Sequence, residues 1–256
     1  MAAAGFEHAQ VESRRWRLDR QGRSRYRSPG ARHDMTKNQD GIVLLHGIAR
    51  HATSLATLER TLAADGYHTL NLDYPARKNC IEDIVAFMRE PIARFQATLD
   101  GRLHFVTHSM GGLVARAYIA RHRPERLGHV VMLAPPNEGS EIADLLANNR
   151  LYRAFFGPAG AELITARPDA LCQVLGTVDF PLGVIAGDRS LDPLGWLLLP
   201  GANDGRVTVE RTRVAGMADH ITLHGTHTLI MENREAIAQV RHFLKQGRFQ
   251  HAKPPA

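Results

Sequence analysis

The residues most able to do chemistry are grouped around one serine. Leu103-His104-Phe105-Val106 is an apolar run, Thr107-His108-Ser109-Met110-Gly111-Gly112 is a turn of mostly small residues, and Leu113-Val114-Ala115-Arg116-Ala117-Tyr118 reads as a helix. A strand, a tight turn and a helix in that order expose a serine hydroxyl as a nucleophile. Gly111 and Gly112 let the helix start close to the strand, and its N-terminus brings backbone N–H groups and the positive dipole end beside Ser109. Negative charge developing there is stabilised. Serine is a weak nucleophile at its own pKa, so it needs a histidine to take its proton and a carboxylate to orient that histidine. His227 is the preferred base, because it follows the last expected strand in the short loop that begins Gly225-Thr226. His224 shares the polar side of that strand with His220 and Thr222, opposite Ile221 and Leu223, which favours a structural or exposed role. His108 adjoins the serine in sequence, but such a turn points neighbouring side chains apart, and it reads as a packed structural histidine. Two aspartates can supply the acid. Asp188 ends Val184-Ile185-Ala186-Gly187, with Asp192 close behind, and Asp204 stands in Asn203-Asp204-Gly205-Arg206-Val207.

The serine turn resembles the nucleophile elbow of α/β-hydrolases, in particular of bacterial lipases and esterases, with Thr107 where the first glycine of Gly-x-Ser-x-Gly would stand. That resemblance implies the chain order nucleophile, acid, histidine, which Ser109, Asp204 and His227 meet. Asn203 to Val207 is similar to the Asp-x-x-Val element carrying the acid in bacterial lipases, so Asp204 is preferred and Asp188 is left to cap a turn. Leu44-Leu45-His46-Gly47-Ile48 resembles the His-Gly element after an early strand of this fold. It implies that the N–H of Ile48 joins that of Met110 in binding an oxyanion. Arg50 and His51 come next and face a substrate entrance, where Arg50 is either a solvated charge or an attractor of acidic substrates.

The implied activity is a serine hydrolase of carboxylic esters, lipid esters included, working through an acyl-enzyme on Ser109 that is released by water activated at His227. No metal and no organic cofactor is required. The same parts would serve a thioesterase or an acyltransferase. A noncatalytic binding protein on a hydrolase scaffold is the rival of a different class, and the presence of every triad member argues against it.

These side chains need a scaffold, and from Gly41 onward short apolar runs alternate with segments of helical period. That alternation predicts a mostly parallel sheet flanked by helices. Strands are expected near 42–46, 67–72, 103–107, 129–134, 182–187 and 219–224. A first helix carries Leu55, Leu58 and Leu62 on one stripe, with Thr53 or Ser54 as cap and Gly66 as stop. A second runs from about Ile81 to Leu99, with Pro91 expected to kink or divide it. The last carries Ile237, Val240 and Leu244 and closes before Gly247. About 45 residues separate the fourth and fifth strands, too many for a simple crossover. A small cap inserted around 135–180 is one reading and a plain crossover the other. This segment and Trp196 to Leu199 are the expected walls of an acyl pocket.

Residues 35–256 read as a single α/β-hydrolase domain, large enough for a well-buried core. The net charge of +6 is concentrated: residues 1–34 hold eight arginines and four acids, and the remainder is nearly neutral. A nucleic-acid footprint on the folded body is therefore not expected. The leading stretch lacks the apolar core of a secretory signal and reads as a disordered extension ahead of Met35. No apolar run approaches the roughly 20 residues needed to span a bilayer. Peripheral contact through Tyr152 to Phe156 or Trp196 to Leu199 is compatible with lipid substrates. Cys80 and Cys172 form no metal or redox pattern, and together with the missing signal they suggest a reduced, cytoplasmic setting.

Overall fold

The computed structural model describes residues 39–191 and 193–251, without the side chains of Pro193, Leu194 and Trp196. The expected extension over 1–34, Asp192 and the Trp196 side chain lie outside the described residues.

Six strands form one parallel sheet: β1 (Gly41–Leu45), β2 (His68–Leu72), β3 (Leu103–His108), β4 (Leu127–Leu133), β5 (Leu182–Gly187) and β6 (Asp219–Leu223), in the order β2-β1-β3-β4-β5-β6. β1, β3 and β5 are buried along their whole length. Strands buried end to end suit a parallel sheet covered on both faces. Successive side chains on a strand point to opposite faces, and the core divides accordingly. Val43, Leu45, Phe105, Met132 and Val184 pack with α2 (Ile81–Gln96) and α3 (Met110–His122), whereas Ile42, Leu44, Val106, Leu133 and Ile185 pack with α1 (Ala56–Ala64) and α8 (Arg234–Gln246).

The chain leaves β1 for β2 on one side and returns to place β3 on the other. In an open parallel sheet the crevice at the carboxyl ends of two such strands is where ligands bind. The fold thus directs the search to the ends of β1 and β3.

Several local expectations need correction. A 3-10 turn, Ala52–Leu55, precedes α1, so neither Thr53 nor Ser54 caps that helix; the Ser54 hydroxyl donates instead to the His51 carbonyl at 2.8 Å. Pro91 does not divide α2, which runs from Ile81 to Gln96 and buries Ile81, Ile84, Met88 and Ile92. The closing glycines behave as expected: Gly66 has φ +98° and Gly247 has φ +69°.

Between β4 and β5 lie α4 (Glu141–Leu146), α5 (Arg150–Ala161) and α6 (Asp169–Leu175). Leu171 and Leu175 of α6 join the sheet core beside α3, while α4 and α5 contribute a wall above the crevice. α5 bends at Gly157, whose φ of +65° and abutment on the Arg77 carbonyl leave no room for a side chain. A short helix, α7 (Pro193–Leu198), follows β5. Among the described residues no helix is long and apolar enough to cross a membrane.

Candidate active site

Non-glycine residues with positive φ cluster where the sheet ends. They are Ala49 (φ 56°) after β1, Ser109 (φ 53°) after β3 and Ala134 (φ 49°) after β4. Each costs on the order of 1–2 kcal/mol, so surrounding structure has to impose them. At Ser109 it does so from several sides. Its N–H donates to the Leu133 carbonyl at 2.8 Å, and its own carbonyl accepts the Gly112 N–H at 2.9 Å. A Cβ on Gly111 would run into the Leu45 and His46 carbonyls, 2.7 Å from the latter, and one on Gly112 would lie 3.0 Å from Met132 Sδ. The two glycines are needed for close packing of α3 on β1 and β4. Thr107 is fully buried in β3, with no partner for its hydroxyl among the described residues.

His227 sits in the loop after β6, with Nε2 3.0 Å from Ser109 Oγ and Nδ1 2.7 Å from Asp204 Oδ2. The second carboxylate oxygen of Asp204 accepts the N–H groups of Arg206 (2.9 Å) and Val207 (2.8 Å). The His227 N–H donates to the Asp204 carbonyl at 3.0 Å, which ties the two loops together. With Nδ1–H given to the carboxylate, Nε2 faces Ser109 as an acceptor. Asp204 is 2% exposed, and a carboxylate so buried is tolerated because its oxygens are satisfied. Asp188 lies elsewhere: it pairs with His224 at 3.0 Å on the surface, so the less favoured acid and base meet each other instead of capping a turn.

Two further histidines brace the site. His108 Nε2–H donates to the His227 carbonyl at 2.8 Å. Burial, reinforced by the neighbouring His227, holds its pKa well below the ordinary value, so it is a neutral strut. His46 is buried against Tyr74, ring on ring at 4.2 Å, and the Tyr74 hydroxyl donates to the His46 carbonyl. Burial lowers the His46 pKa and raises that of Tyr74. Gly47 follows, its α-carbon so close to the elbow that a Cβ would lie 3.0 Å from that of Ser109.

Ser109 opens into a cavity of about 330 Å³ whose apolar wall is made by Ile142, Ala143, Leu146, Tyr152, Phe156 and Leu163. Ile48 lines the same space, and Met110 begins α3, where a backbone N–H has no intrahelical acceptor. The expected contribution of Trp196 to Leu199 is not seen among the described side chains: Leu197 is 72% exposed, and Leu199 is buried away from the cavity. Arg206 and Ser140 also line the space and were not anticipated. Arg206 stood inside the quoted aspartate motif, but no spacing in the sequence ties it to the serine turn. Among the described residues no cluster of metal-ligating side chains is found.

A family model described as alpha/beta hydrolase fold matches residues 41–166. No match is found among curated proteins. Among solved structures, the mature form of the Bacillus licheniformis lipase BlEst2 is similar at 20% identity and TM-score 0.60, over 81% of this chain and 91% of that one. The metagenomic carboxyl esterase MGS0156 is similar at 18% identity and TM-score 0.58, over 75% and 65%. Phospholipase PlaB from Legionella pneumophila follows at 22% identity and TM-score 0.54, over 68% of this chain and 45% of that one. At such identities the likeness is one of fold.

Proposed function

We propose that this member of the α/β-hydrolase superfamily, similar in fold to bacterial lipases and esterases, cleaves carboxylic esters through an acyl-enzyme on Ser109. One observation carries the reading: the hydrogen-bonded chain from buried Asp204 through His227 to Ser109 Oγ, beside an apolar cavity. Ser109 Oγ attacks the ester carbonyl carbon while His227 Nε2 takes its proton, and Asp204 stabilises the imidazolium that results. The carbonyl oxygen becomes an oxyanion facing the N–H groups of Ile48 and Met110. Collapse expels the alkoxide, which receives the proton from His227. Water then enters, gives its proton to His227 and attacks the acyl carbon, and the acid leaves with Ser109 restored. No step calls for a metal or a cofactor.

The apolar wall suits the acyl chain, and a cavity of about 330 Å³ suits short and medium chains. The test joins fluorophosphonate labelling with a chain-length series of p-nitrophenyl esters. Labelling in the wild type that disappears in Ser109→Ala, with turnover best below palmitate, supports the reading. A folded wild type that neither labels nor turns over any ester of the series overturns it.

A further inference from the structure

The cavity beside Ser109 is apolar on the α4–α5 wall and positively charged elsewhere. Arg50 and Arg206 both line it, and among the described lining residues there is no aspartate or glutamate. Asp204 spends both oxygens on His227 and on two backbone N–H groups. Asp73, near the loop after β1, has Oδ1 3.1 Å from His46 Nε2, 3.4 Å from His51 Nδ1 and 3.3 Å from the Ala52 N–H. Among the described residues, the half-buried Arg50 guanidinium has no ion-pair or hydrogen-bond partner.

The backbone brings this charge to the cavity deliberately. Arg50 N–H donates to the Gly47 carbonyl at 3.3 Å, and between them Ala49 holds φ +56°, a conformation an alanine rarely adopts. The resulting turn places Ile48 and Arg50 on the same cavity, one at the candidate oxyanion position and the other as a free cation. A planar guanidinium without a protein counter-charge is complementary to a carboxylate or phosphate, which it engages through two parallel N–H donors. A surface arginine with no such task would be expected to face solvent.

Resting on the esterase reading above, we propose that the substrate carries an anionic group, a carboxylate or phosphate, a few bonds from the scissile ester, and that Arg50 recognises it. The enzyme is then selective for esters that pair an apolar acyl portion with a nearby negative charge.

Two matched pairs of substrates locate that charge. On the acyl side, p-nitrophenyl hydrogen adipate is compared with p-nitrophenyl hexanoate after subtraction of spontaneous hydrolysis. On the alcohol side, 1-butyrylglycerol 3-phosphate is compared with 1-butyrylglycerol. The readout is the ratio of kcat/KM for the anionic member to that for its neutral partner. The wild type favours the anionic member of at least one pair. Arg50→Gln lowers that ratio about tenfold, the size of one charge-assisted hydrogen bond, chiefly through KM, and Arg50→Lys restores part of it. Arg94→Gln, on the exposed face of α2, serves as the control and leaves the ratio unchanged. A ratio insensitive to Arg50→Gln in both pairs overturns the proposal. Calorimetric titration of adipate and of glycerol phosphate supplies a readout independent of turnover. Anion binding that weakens in Arg50→Gln, in a protein that hydrolyses no ester, would count against the esterase reading while upholding Arg50 as the anion site. Equal binding, or none, in wild type and variant would overturn the Arg50 assignment.

Discussion

Two histidine–aspartate pairs lie in neighbouring loops at the carboxyl end of the sheet, and they differ in everything but composition. In His227–Asp204 the atoms are 2.7 Å apart, with side-chain exposures of 13% and 0%; in His224–Asp188 they are 3.0 Å apart, with exposures of 71% and 37%. Among the described residues only the first continues to a third partner, Ser109, and only its carboxylate takes two further backbone N–H bonds. An exposed pair contributes about 0–1 kcal/mol and its members reorient freely in water. A buried, fully bonded one holds an imidazole in one tautomer against one target. Burial and connectivity, more than residue type, therefore separate the two pairs.

The strongest way to break the comparison is to exchange the acids. Asp204→Asn should lower ester turnover about 10⁴-fold by destroying the tautomer that faces Ser109, whereas Asp188→Asn should change it by about twofold at most. If Asp188→Asn abolishes turnover and Asp204→Asn does not, the two pairs have been assigned the wrong way round.

A second test attacks the scaffold that brings the buried pair to the serine. Gly111→Ala must push α3 away from the Leu45 and His46 carbonyls, so it should cost about 1–3 kcal/mol in urea denaturation and most of the turnover. Full activity at unchanged stability would mean that the close approach is not needed.

Acidification separates buried histidines from exposed ones. Burial lowers the pKa of His46, His104 and His108 below 6.5, and that of His220 to about 4. Between these folded values and 6.5 the unfolded chain binds more protons, so unfolding free energy must fall as pH falls from 7 to 5. Glu162, whose pKa burial raises, opposes this as a single group. Urea midpoints at the two pH values check the sign; a midpoint that is constant or higher at pH 5 would contradict it.

The smallest expected effect is at Thr107, whose buried hydroxyl has no partner among the described residues. Thr107→Val keeps the shape and removes an unsatisfied polar group, so stability should be unchanged or raised by about 1 kcal/mol. A loss of more than about 1 kcal/mol would reveal a partner for that hydroxyl.

The strands were legible because parallel strands buried on both faces leave continuous apolar runs, as in Gly41–Leu45 and Leu182–Gly187. Ser109 and His227 could be singled out because the local pattern strand–serine–glycine–glycine and a loop position after the last strand survive in one dimension, whereas Asp204 was preferred to Asp188 only through the resemblance to lipases. The capping of α1 and the continuity of α2 through Pro91 were not legible, since local propensity competes there with packing. Nor could the sequence tell that α4 and α5 supply the apolar wall of the cavity.

By itself the sequence determined which residue types stand at the ends of which strands, and therefore the fold and the set of groups available for chemistry. Only the tertiary structure decided that Asp204 and not Asp188 meets His227, that His108 braces it from behind, and that Arg50 shares a cavity with the serine. Those outcomes depend on which loops come together at the reversal of strand order and on which of them exclude water. Neither quantity is carried by any single stretch of chain.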